Sequence, residues 1–291
     1  MASPAPAPIA ALVQMTSGID PDANLAAMDA ALAEAAAAGA AMAFFPEMSV
    51  LLDRDRARSA PYIAREADSP WPGRLQAMAR RHRLWLHTGS MPLLSDDGER
   101  RVNRSHVIAA DGSIRARYDK IHMFDVTLPS GEAWRESAAF AGGDAVVVTD
   151  TPLGRLGLSI CYDLRFPELY RALVDAGATL LAVPAAFTVP TGSAHWHILL
   201  RARAIETGCF LFAAAQAGPH ADGRTTYGHS LAIDPWGEIL SDGGPGVDAP
   251  AMDGEVARSR VALVPVDASA VETARQAIPL AESRALRRLK V

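Results

Sequence analysis

Short apolar runs alternate with turn residues and helix-length segments along the first half of the chain. The apolar runs predict strands at 9–15, 42–45 and 84–90. Asp20-Pro21 is typical of a helix start and Gly39 of a helix end, so the segment between them is predicted to be helical. A second helix is predicted at 74–82, after a looser stretch that begins near Ser49.

The middle of the chain carries a hairpin pattern. Asp111-Gly112 separates apolar runs at 102–109 and 113–118, and Asp-Gly between two such runs is a strong signal of a β-hairpin. Later runs predict strands at 145–149, 155–161, 180–183, 209–215, 229–233 and 260–266, with helices at 166–176 and 195–207. Because helices alternate with strands and a hairpin interrupts them, we predict an α/β fold, a layered sandwich of mixed sheets covered by helices.

Length and composition are those of an ordinary globular protein. The 291 residues are 49% hydrophobic and 21% charged, so the chain is long enough to bury a core without metals or disulfides. No composition shift interrupts the pattern, and no internal repeat is visible. We therefore predict a single domain at 9–270, a flexible N-terminal tail at 1–8 and a helical, basic C-terminal tail at 271–291.

Charge and cysteine usage narrow the class of partner. The net charge of −5 argues against a nucleic-acid surface and favours a small-molecule substrate. No run of about 18 apolar residues predicts a membrane span, and the first residues lack the pattern of a secretory signal. Cys161 and Cys209 are too few for a disulfide framework, and a reactive thiol must stay reduced, so we expect a cytoplasmic protein.

Three ionisable residues each follow an apolar strand at the point where it ends. Glu47 follows 43–46, Lys120 follows the second hairpin strand, and Cys161 ends the run 155–161. A thiol between a strand and a helix is lifted out of the sheet, as in a nucleophile elbow. Taken singly, each residue has a structural explanation, because free cysteine is often core and charged residues are mostly solvated.

The wider segments around these residues favour a catalytic role over a structural one. Three of them, 45–48, 118–125 and 161–168, closely resemble the Glu, Lys and Cys motifs of the nitrilase superfamily of carbon-nitrogen hydrolases. The likeness extends from Ile9 to about Val266 and is greatest to the deaminated glutathione amidase branch, with the ω-amidases close behind. It implies a four-layer α-β-β-α sandwich, assembled through helices into a homodimer or a higher homo-oligomer, and no cofactor.

The resemblance also implies roles for individual residues. Glu47 matches the general base, Lys120 the group that stabilises the tetrahedral intermediate, and Cys161 the nucleophile. Glu136 matches a second glutamate that orients the substrate. The backbone N–H of Tyr162 is expected to face the developing oxyanion beside Lys120.

Other polar residues have competing interpretations. Arg165 and His195 are candidates for substrate binding, although an Arg165–Glu168 ion pair that fixes the turn is the more economical explanation. His122, His195 and His229 each offer a rival Cys–His mechanism, but none carries a nucleophile–base motif by itself.

The segment His195-Trp196-His197 raises the question of a metal. Residues two apart on a helix point to different faces, and no cysteine or carboxylate cluster completes a ligand set, so we predict no metal site. Relatives carry Glu where this chain has His197, a departure that bears on local polar contacts.

The sequence thus predicts an amidase that hydrolyses a small ω-amide, deaminated glutathione or a related 2-oxo acid amide, through a Cys161 thioester. Two alternatives stay open. The same site suits an N-carbamoyl compound or a nitrile, and a non-catalytic binding scaffold with a vestigial pocket is the third interpretation.

Overall fold

Two β-sheets lie face to face between helices in a computed structural model that describes residues 6–127, 131, 133–246, 257–280 and 283. The strands are β1 (Ile9–Thr16), β2 (Ala40–Phe44), β3 (Trp85–His87), β4 (Met91–Leu94), β5 (Arg101–Ile108), β6 (Ile114–Asp119), β7 (Asp125–Thr127), β8 (Ala133–Arg135), β9 (Val148–Thr151), β10 (Gly154–Leu158), β11 (Leu180–Ala182), β12 (Phe210–Ala213), β13 (Ala217–Pro219), β14 (Thr225–Tyr227), β15 (Leu231–Ile233), β16 (Ile239–Asp242) and β17 (Arg258–Pro265). The α-helices are α1 (Pro21–Ala37), α2 (Arg56–Ser59), α3 (Pro70–His82), α4 (Pro167–Asp175), α5 (Val189–Thr207) and α6 (Ser269–Ala277). Three 3₁₀ helices lie at Ala60–Tyr62, Glu136–Ala138 and Cys161–Arg165.

Each sheet mixes parallel and antiparallel pairs. The first runs β17-β1-β2-β3-β5-β4, with β6 paired to β5, and the second runs β16-β15-β12-β11-β10-β9. In the first sheet β1, β2 and β3 are parallel, and in the second β10, β11 and β12 are parallel. Helices α1 and α3 pack on the first sheet, and α4 and α5 on the second. The predicted α-β-β-α sandwich is confirmed.

Strand β1 shows how the sequence builds these layers. Ala10 and Leu12 belong to the core between the sheets, whereas Ala11 and Val13 belong to the core beneath α1 and α3. Successive side chains of a strand point to opposite faces, so a strand buried on both sides is apolar throughout. Across the central layer the rings of Phe44 and Phe212 stack with centroids 4.8 Å apart.

Several predicted elements are confirmed within a few residues. The Asp20 side chain caps α1 by accepting a hydrogen bond from the backbone N–H of Asp22. The Asp111-Gly112 hairpin joins β5 to β6, and Gly112 takes the left-handed φ of +82° that its turn requires. Helix α3 begins at Pro70, four residues before the prediction, because Ser69 caps it.

The strand predicted at 84–90 is confirmed as β3 but is shorter, ending at His87, since the chain turns between β3 and β4. Gly89 has a φ of +71°, and a Cβ built on it would lie 1.9 Å from the carbonyl oxygen of Pro46. Only glycine allows that close approach of two backbones. The hairpin β7–β8 and the pair β13–β14 were not predicted, and α5 begins at Val189 rather than at 195.

The predicted division into a domain and two tails stays a prediction. Residues 1–5, and all of 281–291 except Ser283, lie outside the described residues. Helix α6 begins two residues before the predicted C-terminal tail, and Val271 on it packs into the core between the sheets. No helix among the described residues is both long and apolar enough to cross a membrane.

Candidate active site

Glu47 lies where the chain leaves β2 and crosses the β3–β4 turn at Gly89. Its backbone carbonyl accepts a hydrogen bond from Gln216 Nε2 (3.0 Å). Glu47 is only 4% exposed. Its carboxylate accepts three hydrogen bonds: Oε1 accepts from Asn103 Nδ2 (2.9 Å) and Lys120 Nζ (3.1 Å), and Oε2 accepts from the backbone N–H of Ala186 (2.9 Å). These contacts fix the carboxylate in one orientation.

Lys120 directly follows β6 and is almost completely buried. Its backbone N–H donates to the carbonyl of Asn103 on β5, so the sheet positions the base of the side chain. The ammonium lies between two glutamates, 3.1 Å from Glu47 and 2.8 and 2.9 Å from the two oxygens of Glu136. Burial by itself favours the neutral amine, but the carboxylates of Glu136 and Glu47 raise the pKa of Lys120 well above its ordinary value. The amine is therefore charged at neutral pH.

Glu136 begins a short 3₁₀ helix immediately after the β7–β8 hairpin. Its Oε2 also accepts a hydrogen bond from the backbone N–H of Phe124 (2.6 Å). The hairpin thus brings a carboxylate back over Lys120. This hairpin shapes the site, although residues 128–130 and 132 lie outside the described part of the chain.

Cys161 lies at the turn predicted from the sequence, between β10 and α4. The ladder hydrogen bonds continue past β10, since the N–H of Ser159 donates to Ala182 and that of Cys161 donates to Pro184 (2.9 Å). Cys161 then takes a φ of +50°, which is uncommon for a residue with a side chain and costs about 1 to 3 kcal/mol. The strained turn projects the thiol off the end of the sheet.

The thiol is buried beside Glu47 and Lys120. Burial is the main cause that raises the pKa of Cys161 well above its ordinary value; the Glu47 carboxylate raises it further, and the Lys120 ammonium opposes both. The thiol is therefore protonated at neutral pH.

Asp163 holds this turn in place and was missed in the sequence. It is fully buried, and its two oxygens accept from Tyr118 Oη (2.7 Å), the N–H of Ile160 (2.9 Å), and both the N–H (3.0 Å) and Nδ1 (2.7 Å) of His122. Nδ1 of His122 is thus hydrogen-bonded to Asp163, which argues against a pairing of His122 with Cys161. Its position two residues after Cys161, next to a mostly apolar segment, could have indicated the role of Asp163 in the sequence.

The four predicted residues share one cavity of about 520 Å³. Glu47, Lys120, Glu136 and Cys161 all line it. Part of its wall is aromatic, from Phe124, Trp134, Tyr162 and Phe187, and part is basic, from Arg54, Arg56, Arg101, Arg135 and Arg224. A cavity of this volume accommodates a small molecule. The basic part of the wall was not foreseen.

The remaining predicted residues lie at or near this cavity. Tyr162 is in the first turn of the 3₁₀ helix at Cys161–Arg165, where its N–H has no acceptor within the helix. Arg165 and His195 are not among the described residues that line the cavity. Arg165 Nη1 lies 3.3 Å from His195 Nδ1, and its guanidinium lies over the rings of Tyr162 and Phe187. These contacts, rather than the expected pairing with Glu168, hold the side chain.

His195 and His197 point to different faces of α5, as predicted. The structure nevertheless places His197 next to two other potential ligands, His229 and Asp242. The expectation that no carboxylate completes a set near His197 is wrong, because Asp242 reaches it from β16.

The chain belongs to the carbon-nitrogen hydrolase family, whose model matches residues 9–275. This confirms the resemblance to the nitrilase superfamily inferred from the motifs. A deaminated glutathione amidase of Yersinia enterocolitica is 42% identical over 241 residues, which cover 82% of this chain and 84% of that protein.

Solved structures show the same fold. Nit3 of Saccharomyces cerevisiae, a member of branch 10 of the nitrilase superfamily, superposes with a TM-score of 0.82 and 27% identity, covering 98% of this chain and 99% of that chain. An amidase from Nesterenkonia sp. AN1 superposes with a TM-score of 0.73 and 28% identity, covering 94% and 98%. That structure is a glutamate-to-glutamine mutant with acrylamide added to its active-site cysteine.

Proposed function

We propose that the protein is an amidase that hydrolyses a small ω-amide, deaminated glutathione or a related 2-oxo acid amide, to a carboxylate and ammonia. The observation that carries this proposal is the convergence of Glu47, Lys120 and Cys161 in one cavity from three distant parts of the chain. The named relative at 42% identity supports the substrate class.

In the first half of the reaction the Cys161 sulfur attacks the amide carbon. Because the thiol is protonated at rest, its proton passes to Glu47 as the carbon–sulfur bond forms. Lys120 and the backbone N–H of Tyr162 stabilise the oxyanion of the tetrahedral intermediate. Glu47 then returns the proton to the departing nitrogen, and ammonia leaves behind a thioester.

The second half hydrolyses the thioester. Glu47 accepts a proton from water as the water oxygen attacks the thioester carbon, and the second oxyanion occupies the same position beside Lys120. The carbon–sulfur bond breaks, the thiolate takes back a proton, and the carboxylate product is released. Glu136 keeps the Lys120 amine charged and oriented through both halves.

The basic wall of the cavity favours an anionic substrate. The Arg101 guanidinium donates to Ser59 Oγ (3.1 Å) and to the carbonyl of Arg56 (3.0 Å), which are neutral acceptors. Burial, and next the nearby Arg56 charge, lower the pKa of Arg101, while the Asp53 carboxylate, which also lines the cavity, opposes them. A carboxylate on the substrate would relieve this repulsion, because guanidinium groups bind carboxylates with paired hydrogen bonds.

The alternatives keep the same nucleophile or discard it. An N-carbamoyl compound would release carbon dioxide along with ammonia, and a nitrile would be hydrated before its hydrolysis. In a non-catalytic scaffold no thioester would form at Cys161. The carbamoyl alternative is therefore distinguished by its carbon dioxide, the nitrile by the substrate that is turned over, and the scaffold by the absence of an acyl group on Cys161.

The deciding experiment is a substrate panel assayed for ammonia release. It contains deaminated glutathione, 2-oxoglutaramate, glutaramate, an N-carbamoyl amino acid and a simple nitrile. We expect turnover of the 2-oxo acid amides by the wild-type protein and none by Cys161→Ala. Mass spectrometry of quenched wild-type protein should show an acyl group on the peptide that contains Cys161.

Two outcomes would overturn the proposal. Protein whose Cys161 is titratable by an alkylating reagent, yet hydrolyses no amide on the panel, would remove the amidase assignment. Residual turnover by Cys161→Ala equal to that of the wild type would remove the thioester mechanism.

We further infer a homo-oligomer and a cytoplasmic location. Ile198 on α5 is 70% exposed and Trp236 is 55% exposed, and large apolar side chains so exposed are typical of contact surfaces. Light scattering on the purified protein tests the assembly. Cys161 and Cys209 are both free thiols, which a reducing compartment preserves.

A further inference from the structure

His197, His229 and Asp242 converge from three different elements of the second sheet and its covering helix. His197 lies in α5, His229 lies between β14 and β15, and Asp242 ends β16. His197 Nε2 lies 3.2 Å from Asp242 Oδ2, and His229 Nδ1 lies 2.9 and 3.1 Å from the two oxygens of the same carboxylate. One ligand atom from each residue lies within 4.8 Å of the others. The mechanism proposed above uses none of the three.

The surrounding contacts hold the three side chains in place. His229 has a φ of +54°, its N–H donates to the carbonyl of Gly244, and its carbonyl accepts from Trp196 Nε1 (2.7 Å). Tyr227 stacks on its ring at a centroid distance of 4.5 Å. Asp242 Oδ1 accepts from the N–H of Gly244 (2.8 Å). The left-handed backbone of His229 and the hydrogen bonds to His229 and Asp242 therefore hold the cluster in a fixed arrangement.

The cluster is also open to solvent and carries negative charge. The side chains of His197, His229 and Asp242 are 30%, 20% and 35% exposed, so an ion from solution reaches them. The Asp242 carboxylate supplies the negative charge, and the N–H of Gly244 and both imidazoles contact it.

We propose that His197, His229 and Asp242 form a binding site for a divalent transition-metal ion such as Zn²⁺. Two imidazole nitrogens and a carboxylate oxygen are the donors that Zn²⁺ and its neighbours prefer, whereas Ca²⁺ and Mg²⁺ prefer oxygen alone. Ligand bonds of about 2.1 Å in a tetrahedral site place the donor atoms about 3.4 Å apart. The two histidine–aspartate separations of 2.9 to 3.2 Å need to open by only a few tenths of an ångström, and the two imidazole nitrogens already lie within 4.8 Å of each other. Solvent supplies the fourth ligand.

The proposed metal site lies next to elements that form the wall of the catalytic cavity. Thr225 and Thr226 of β14 line that cavity, and so do Val189 and Thr191 at the start of α5. Tyr227 fills the space beside α5, since a Cβ on Gly192 would lie 2.3 Å from its ring. An ion that joins α5 to the β14–β15 connection and to β16 therefore ties two sides of the cavity wall together. We expect it to stabilise the fold without taking part in the reaction.

The site is tested by titrating Zn²⁺, and separately Co²⁺, into tag-free full-length protein by calorimetry. All variants carry Cys161→Ala, so that the catalytic thiol cannot be the ligand. We expect one ion to bind per chain, and His197→Asn and Asp242→Asn each to weaken binding by at least about tenfold.

The matched control is His82→Asn. His82 Nε2 lies 2.8 Å from Asp29 Oδ1, so this partly buried pair resembles the cluster but has no third ligand among the described residues. Its variant should bind the ion as the parent does. Thermal unfolding supplies a second measurement, with Zn²⁺ raising the melting temperature of the parent and of His82→Asn but not of the other two variants.

Three outcomes would overturn the site. The first is the absence of saturable binding to the parent protein. The second is unchanged affinity in both His197→Asn and Asp242→Asn while circular dichroism shows both to be folded. The third is an equal loss of affinity in His82→Asn, which would mean non-specific binding to imidazoles.

Discussion

Lys120 Nζ lies 3.1 Å from Glu47 Oε1, although 73 positions separate the two residues in the chain. The pair is buried, and Glu136 adds a second carboxylate on the other side of the ammonium. Two negative charges and one positive charge around Cys161 leave a net negative environment. Burial is the main cause that keeps the thiol protonated at rest, and the Glu47 carboxylate adds to it, while the Lys120 ammonium opposes both.

Glu47→Gln separates the two effects of this carboxylate. The substitution removes a negative charge that raises the pKa of Cys161, so the thiolate fraction should increase. It also removes the proton acceptor, so turnover should fall about 10²- to 10⁴-fold. We expect faster alkylation of Cys161 by iodoacetamide together with nearly complete loss of ammonia release. Glu168→Gln, on the exposed surface, is the control and should change neither rate. Slower alkylation in Glu47→Gln would contradict the assigned resting state of the thiol.

Asp163→Asn should weaken the turn that holds the nucleophile. The carboxylate accepts four hydrogen bonds in a fully buried position, and an amide in its place offers one oxygen and turns a donor toward donors. We expect the free energy of unfolding to fall by about 2 to 4 kcal/mol, with a loss of turnover.

Tyr118→Phe is the milder control for Asp163→Asn, because it removes only one of the four hydrogen bonds, the one that Tyr118 Oη donates to Oδ2. Its cost should be about 1 to 2 kcal/mol, measured by urea unfolding. Equal costs for the two variants would show that Asp163 acts through Tyr118 alone.

Arg101→Gln tests whether the basic wall binds a substrate carboxylate. Losing the guanidinium should raise KM for deaminated glutathione about tenfold or more and leave kcat nearly unchanged, because the carboxylate is remote from the reacting carbon. Arg100→Gln is the matched control, since Arg100 donates to the carbonyls of Ser137 and Phe140 and does not line the cavity among its described residues. A fall in kcat with unchanged KM for Arg101→Gln would place this residue in catalysis instead.

His87 should make the protein sensitive to acid. Burial first, and then the neighbouring His106, lower the pKa of His87 to about 3, whereas the unfolded chain binds this proton near pH 6.5. Between these two values the unfolded state holds a proton that the folded state lacks. The free energy of unfolding should therefore fall with decreasing pH, by up to about 1.4 kcal/mol per pH unit.

His87→Leu removes this titration, and the slope of stability against pH should become shallower below about pH 7, by nearly one proton at about pH 5. Urea unfolding at several pH values measures it. The variant should be less stable at neutral pH, because Ser105 Oγ and the N–H of Gly89 lose the ring nitrogens that they contact. An unchanged slope for His87→Leu would mean that other groups cause the acid sensitivity.

The local sequence was sufficient for much of the fold. Doubly buried strands such as β1 are apolar throughout, the cap at Asp20 marks the start of α1, and the Asp111-Gly112 turn marks a hairpin, because each of these is decided by neighbouring residues. The three motifs placed Glu47, Lys120 and Cys161 at strand ends for the same reason. Close contacts between distant backbone segments could not be predicted in this way. The Gly89 turn exists because two chain segments touch, and a single segment carries no record of its contact partner.

The sequence by itself determined the family, the α-β-β-α layers and the residue types of the chemistry, since motifs and periodicity are local properties. Only the tertiary structure decided which charges neutralise one another. It showed that Asp163 anchors the turn, that five arginines line one cavity, and that Asp242 joins His197 and His229. Electrostatic and hydrogen-bond energies depend on distances through space, and these distances are set by the packing of elements that lie far apart along the chain.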